Sequence, residues 1–332
     1  MRKWIFSVIG LMVVLSIGLT ACTREQTLTI YSGRGETLVG PIIEQFQEAT
    51  GIKVAVKYGS SSAMALTILE EGENTPADLY YGSDPGSLGA LSHLFTQLPD
   101  SILNQVAEPV RSPEGKWVGL SGRARVIVYN TERVRPEDLP DSIFDFTDPQ
   151  WKGRIGWPPT NGSFQAMVTA MRLLWGEQKT RQWLEGIQAN DPKVYPKNTP
   201  IVAAAGAGEI DVGFVNHYYL YRFLQEEGES FPARNYYLKG GDPGVTMLVA
   251  GAGILTTSKN KDVAERFLEF MLSPVAQQYF ASQTFEYPLV EGVRTHRELV
   301  PLDQLELPNL DLSNLSDIEG TLDLLRETGV LP

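Results

Sequence analysis

Two phenols stand side by side at Tyr218 and Tyr219, two residues after Asn216. Ionised, they would present the anionic oxygens that a hard metal cation prefers. A free tyrosine titrates near ~10, so a bound metal must itself stabilise the phenolate, and acid must weaken binding. Taken alone, the string Tyr218-Tyr219-Leu220-Tyr221-Arg222-Phe223 also reads as aromatic core and surface. Adjacent residues on a strand face opposite ways, so the two rings can share one ion only where the backbone leaves a sheet.

Other residues offer anion chemistry. Asn161-Gly162-Ser163 opens a predicted helix whose unpaired N–H groups suit an anion, although the same residues also make an ordinary N-cap. Arg123, in Ser121-Gly122-Arg123, carries a planar fork that could clamp an oxyanion, or forms a surface salt bridge. The three histidines are scattered: His93 reads as a packing residue in an apolar helical stretch, His217 precedes the tyrosine pair, and His296 reads as surface. There is no G-x-S-x-G elbow and no H-E-x-x-H, and the single cysteine sits at position 22, so hydrolase chemistry lacks its parts and no enzyme is expected.

These residues must be held by a substantial core, which 332 residues at 42% hydrophobic composition can build, and length predicts about two domains. Leu28 to Gly33 reads as a strand, Leu38 to Ala49 as a helix stopped by Gly51, Val54 to Tyr58 as a second strand, Ser60 to Leu69 as a capped helix and Ala77 to Tyr81 as a third strand. That alternation predicts a parallel α/β sheet with sites at the strands' carboxyl ends, directing attention to Ser32–Glu36 and Gly82–Gly86. Trp117 to Asn130 reads as one long strand able to cross between lobes, Gly162 to Tyr221 as a helical and strand block with Met167, Met171, Leu174 and Trp183 on a helical face, and Val245 to Leu255 as a further strand. Asp262 to Phe280 has the spacing of one amphipathic helix, and the tail after Pro301 ends in another short one.

Arg2 and Lys3 precede an apolar run from Trp4 to Leu19 that closes on Leu19-Thr20-Ala21-Cys22. This is a signal peptide, slightly shorter than the ~20 apolar residues of a spanning helix. Cysteine directly after the small residues resembles the bacterial lipoprotein signal, so residues 1–21 are expected to be removed and Cys22 lipidated, tethering the chain outside the cytoplasmic membrane. Without Arg2 and Lys3 the chain carries 26 Lys+Arg against 40 Asp+Glu, a charge near −14, which excludes nucleic acid as a natural partner and is compatible with a cationic cargo.

Strings in order along nearly the whole mature chain resemble the bacterial ferric-ion-binding periplasmic proteins, within the two-lobed extracellular solute-binding proteins. They are Leu28-Thr29-Ile30-Tyr31-Ser32-Gly33, Thr75-Pro76-Ala77-Asp78-Leu79-Tyr80-Tyr81, Leu120-Ser121-Gly122-Arg123-Ala124-Arg125-Val126, Trp151-Lys152-Gly153-Arg154-Ile155-Gly156, Lys197-Asn198, Val215-Asn216-His217-Tyr218-Tyr219, Asp242-Pro243-Gly244, Leu272-Ser273-Pro274 and Glu286-Tyr287-Pro288-Leu289. The resemblance implies a Venus-flytrap α/β fold with two crossing hinge strands near Arg125 and Thr246. One lobe would hold 27–125 and 247–300, the other 126–246 and 301–332. It further implies a monomer that docks on an ABC permease and ATPase complex and binds Fe(III) through Tyr218 and Tyr219. A synergistic carbonate or phosphate would lie near Asn161, Gly162, Ser163, Asn198 and Asn216.

Relatives place a histidine after the first strand and a glutamate after the third, where this chain has Gly35 and Ser83. Tyr31, Tyr81, Asp84 and Glu36 lie in the same loops or strand ends and stand as substitute ligands, with Arg34 as a further anion-holding residue. Loss of both first-lobe ligands also keeps open the same fold with another cargo, such as a phosphonate, thiamine or a polyamine. Trp157 and Trp175 would then be stacking surfaces.

Overall fold

The computed structural model describes residues 27–332, so the leader and Cys22 lie outside the described residues. Thr27–Ser32 (β1) buries Leu28 and Ile30. Glu36–Thr50 (α1) follows, burying Val39, Ile42, Ile43 and Phe46 at three- and four-residue spacing and stopping where Gly51 takes φ 72°. Lys53–Tyr58 (β2), Ser61–Glu71 (α2, capped by Ser60) and Leu79–Gly82 (β3) complete a parallel unit in which β2 and β3 flank β1. Two short helices, Pro85–Ala90 (α3) and Asp100–Leu103 (α4), lead into the thirteen-residue strand Val118–Asn130 (β4).

The second half begins with Ile155–Trp157 (β5), the paired helices Gly162–Trp175 (α5) and Glu177–Ala189 (α6), and Lys193–Val194 (β6). Asn198–Gly206 (α7), Val212–Asn216 (β7), Tyr218–Glu227 (α8) and Ala233–Tyr236 (β8) follow. The chain then returns along Met247–Ile254 (β9) to Lys261–Met271 (α9) and Pro274–Gln283 (α10), and ends on Ile318–Glu327 (α11).

The strands run in the order β2-β1-β3-β9-β4-β7-β5-β6, with β8 also on β4. β4 pairs with β9 from Val118 to Ala124, then from Arg125 onward with β7, and from Ile127 with β8. The Arg125 amide donates to the Thr246 carbonyl at 3.0 Å, just where β9 begins. One hydrophobic core gathers β1, α1, α9 and α10 around Phe46 and Phe267, and another gathers β7, α5 and α6 around Trp151, Trp183 and Phe214. With β4 and β9 crossing between them, this is the two-lobed α/β fold.

Three local expectations are corrected. The stretch Asp262 to Phe280 is two helices, because Pro274 lacks the N–H a continuous helix needs and Ser273 caps the second through the Ala276 amide. Trp183 does not share a helix with Met167 and Met171, since Gly176 at φ 82° separates α5 from α6, and Leu174 faces outward. His93 is exposed on a 3-10 turn over Ser92–Leu94. Residues 301–332, expected in the second lobe, touch both lobes. Leu312 and Leu315 pack with Leu88 and Leu91 beside α3, whereas Leu324 and Leu325 enter the core around α5.

Candidate metal and anion site

Strand β7 ends at Asn216, His217 turns into the helical region as N-cap, and α8 opens with the two tyrosines. The backbone therefore leaves the sheet between Asn216 and Tyr218, the condition under which neighbouring phenols can face one point. Their rings stack with centroids 4.2 Å apart and planes 28° from parallel. Tyr218 is buried and Tyr219 half-buried. Burial first, then Tyr218, push the Tyr219 phenol well above its ordinary value, while Arg34 and Arg123 pull it back.

Those two guanidinium groups and that of Arg125 are 2%, 2% and 0% exposed. Arg123 and Arg125 are two apart on β4 and so share its face. Arg125 donates through Nη1 to Asn198 Oδ1 at 3.2 Å and Asn216 Oδ1 at 2.9 Å. Burial, opposed by Tyr219 and reinforced by Arg123, pulls it down to about 9, still charged at neutral pH. Asn216 Nδ2 donates to Ser163 Oγ at 3.2 Å, and Asn198 Nδ2 to Asn161 Oδ1 at 3.4 Å. Asn161 is also the N-cap of α5, accepting the Ser163 and Phe164 amides, and a Cβ on Gly162 would meet open space. An asparagine relay thus runs from Arg125 to the positive end of a fourteen-residue helix.

Arg34 makes an ion pair with Glu286, which also accepts from Ser121 Oγ. Burial lowers the Arg34 value, but Glu286, followed by Tyr218, Tyr81 and Tyr219, outweighs it and the net shift is upward. Tyr81 lies in the field of Arg34, Glu286 and Arg123, and its buried hydroxyl has no hydrogen-bond partner among the described residues.

Three proposed substitutes lie elsewhere. Tyr31 donates to Glu71 at 3.0 Å beneath Lys57, and burial followed by Glu71 pushes it up to about 12. Asp84 is spent as the N-cap of α3, accepting the Ser87 amide at 2.8 Å and the hydroxyls of Ser83 and Ser87. Glu36 is exposed in the first turn of α1, near Tyr58. Among the described residues no group of three or more His, Cys, Asp or Glu is placed to hold a metal. Trp157 packs edge-on against Phe164 in the second core and Trp175 against Phe144, so the proposed stacking surfaces are packing residues. Sequence reading missed Arg125 and Glu286 as site residues, although both lie in strings it singled out.

His217 ties these segments together. The Ala124 amide, between the two arginines, donates to Nδ1 at 3.1 Å, which leaves the proton on Nε2 to donate to the Phe285 carbonyl at 2.7 Å. Phe285 has φ 54°, a left-handed backbone that a bulky residue rarely adopts, and the next residue is Glu286. Burial pulls the imidazole down to about 4. Because the folded value lies below the ~6.5 of an unfolded histidine, the unfolded chain binds the extra proton. The stability contribution is full above ~6.5 and lost as pH falls towards 4, at most about 3 kcal/mol. Urea midpoints of the metal-free chain should therefore fall between pH 7 and 4, and the slope should flatten in His217→Gln; equal slopes in the two proteins would exclude this role.

The family model described as bacterial extracellular solute-binding protein matches residues 91–305. The major ferric iron-binding protein of Neisseria meningitidis is 35% identical over 324 residues, spanning 96% of this chain and 97% of its own. The crystal structure of iron-bound HitA from Pseudomonas aeruginosa superposes with a TM-score of 0.88 at 35% identity, covering 92% of this chain and 99% of that one. A Trichodesmium protein solved in complex with iron and citrate gives 0.81 at 28% identity, covering 91% and 99%. A family match over residues 91–305, 35% identity to a curated relative across nearly the whole chain and a two-lobed fold shared nearly end to end place this chain among the bacterial extracellular solute-binding proteins, with ferric iron-binding proteins among its relatives.

Proposed function

We propose that the chain is the extracytoplasmic binding component of an ABC importer, that it captures ferric iron between its lobes, and that it delivers the ion to a membrane permease. Tyr218 and Tyr219 bind as phenolates. A synergistic anion, of which carbonate and phosphate are the simplest, sits toward Arg34, Arg123, Arg125 and the relay of Asn198, Asn216, Asn161 and Ser163, with the open Gly162 at the helix terminus. Cys22 carries the lipid that tethers the protein, as a monomer, to the outer side of the cytoplasmic membrane.

The observation that carries this reading is the stacked pair of phenols in the common field of three buried guanidinium groups. A hard trivalent ion favours ionised oxygen ligands, and the surrounding positive charge favours the phenolate form. The relatives named for ferric iron support the same cargo.

Adding ferric citrate to the purified full chain should give a visible phenolate-to-iron charge-transfer band, with about one iron per chain by elemental analysis after desalting. A colourless, iron-free protein would leave the two-lobed receptor with another cargo, and thiamine, phosphonates and polyamines are the solutes to titrate next.

A further inference from the structure

Two strands join the lobes, and the chain crosses between them again after α10. Tyr287 still bridges to Gly122 on β4, and Val290 to Val106 of the first lobe. By Glu298, whose carbonyl accepts from the Tyr221 hydroxyl of α8, the chain lies on the second lobe, where Glu306 also accepts the Gly240 amide. Leu312 and Leu315 then pack with Leu88 and Leu91 of the first lobe, and Thr321, Leu324 and Leu325 return to α5 and its core. The segment after α10 thus passes from lobe to lobe three times.

It also covers the hinge. Met247 and Leu248 are neighbours on β9, so their side chains point to opposite faces of the strand. Met247 clusters with Tyr287, Leu299 and Leu305, whereas Leu248 clusters with Leu312 and Leu315. Both faces of this crossing strand are therefore packed by the tail.

Helix α3 carries a seat for it. Gly86 and Gly89 are three apart on that helix and share one face. A Cβ on Gly86 would lie 2.9 Å from Ile318 and from the Leu315 carbonyl, and one on Gly89 would lie 2.8 Å from Ser316. Glycine weakens a helix relative to alanine, and the close approach of the tail is what requires it at both places.

On α5 the attachment is polar. Arg172 donates through Nη1 to the Asp317 carbonyl at 3.1 Å and to Thr321 Oγ1 at 3.0 Å, and its Nη2 pairs with the Asp317 carboxylate at 2.9 Å. The hydroxyls of Thr169 and Thr321 lie 2.7 Å apart. These bonds hold the point where the tail leaves the first lobe, between Ile318 against Gly86 and Leu324 in the second core. Such bonds can be exchanged for water, whereas the leucines cannot leave their cores without exposing apolar surface.

We propose that the tail from Leu310 to Leu325 is a latch between the lobes. Seated on the glycine face of α3 and pinned to α5 by Arg172, it shifts the cargo-free chain toward closure. Closure needs such a device, because Arg34, Arg123 and Arg125 are buried together with Glu286 as their carboxylate, and their mutual repulsion favours separation of the lobes. The latch acts on the lobes themselves and does not depend on which cargo enters.

The test is the interlobe distance distribution of the cargo-free full chain, measured by pulsed electron paramagnetic resonance. Cys22→Ser removes the native thiol, and spin labels go on Gln45→Cys of α1 and Gln182→Cys of α6, both exposed. Without further change the closed distance should dominate. Arg172→Met/Thr321→Val removes the polar pin with little change of volume, and Gly86→Ala/Gly89→Ala lifts the tail from α3 while favouring the helix. Each pair should raise the ratio of open to closed distances at least ~5-fold, the loss of about one net hydrogen bond. Circular dichroism checks folding, and if the alanine pair does not fold, the Arg172 pair decides alone. Unchanged distances in the folded variants would overturn the proposal, even with a lowered thermal midpoint, because the tail would then only cover the hinge. A chain that is already open with its latch intact would overturn it as well.

Discussion

The double variant Tyr218→Phe/Tyr219→Phe is expected to lose the charge-transfer band and to bind ferric iron too weakly to survive desalting, while its fold is retained. The substitution removes two hydroxyls and keeps two rings stacked 4.2 Å apart, so the aromatic packing around α8 persists. What disappears is both anionic oxygens. Outer partners of a metal site cost ~10–100-fold when removed, and a direct ligand should cost more, so each single variant should weaken binding by over ~100-fold. Acid should act in the same direction. Burial and then Tyr218 hold the Tyr219 phenol above its ordinary value, so the proton is present in the metal-free chain and must leave as iron binds. Each phenolate formed releases one proton, and a two-phenolate site should lose about 100-fold in affinity per unit of falling pH. Competition against a chelator between pH 5.5 and 7.5, corrected for the chelator's own protonation, measures that slope. A flat profile would remove the phenolates from the coordination sphere.

The residues that carry the site differ in how much of their role is local, and this sets what sequence can reveal. The strand and helix alternation through β3 is written in short-range periodicity and in stops such as Gly51, so the residue pattern alone makes it legible. The tyrosine pair is legible as a pair, but its usefulness depends on β7 ending at Asn216 and α8 opening at Tyr218. Asp84 carried a local signal that it was structural: an N-cap acid followed by Pro85 at the first helical position. Tyr31 was undecidable from sequence, because its partner Glu71 lies forty residues on, at the end of α2. Arg125 hid inside an apolar strand, where it read as a crossing point, although its spacing of two from Arg123 already placed both on one face. Glu286 was out of reach, since Arg34 lies 252 residues away and only the return of the chain through β9 and α10 brings them together.

That long-range pair should have the largest effect on stability. Arg34 and Glu286 are 2% and 0% exposed, and the carboxylate's other partner is the Ser121 hydroxyl on β4. Removing the guanidinium in Arg34→Met leaves a buried carboxylate with a single neutral donor, a loss expected to cost about 3–5 kcal/mol in urea unfolding. That is a large share of the ~5–15 kcal/mol that holds a typical domain. Removing both charges in Arg34→Met/Glu286→Leu should recover much of it, because two apolar side chains need no solvation, and the cycle should show a coupling of roughly 2 kcal/mol or more. Additive single variants would mean that the pair is already compensated by water in the cleft. The pair has a reason beyond stability. Glu286 binds Arg34 through Nη2 and leaves Nε without a partner among the described residues, in the field of Tyr81 and the tyrosine pair, so under the proposed function the acid would hold the cation in place for the anion. In Glu286→Gln the guanidinium loses that anchor while Ser121 can keep its hydrogen bond, so anion affinity should fall even where the lobe remains folded.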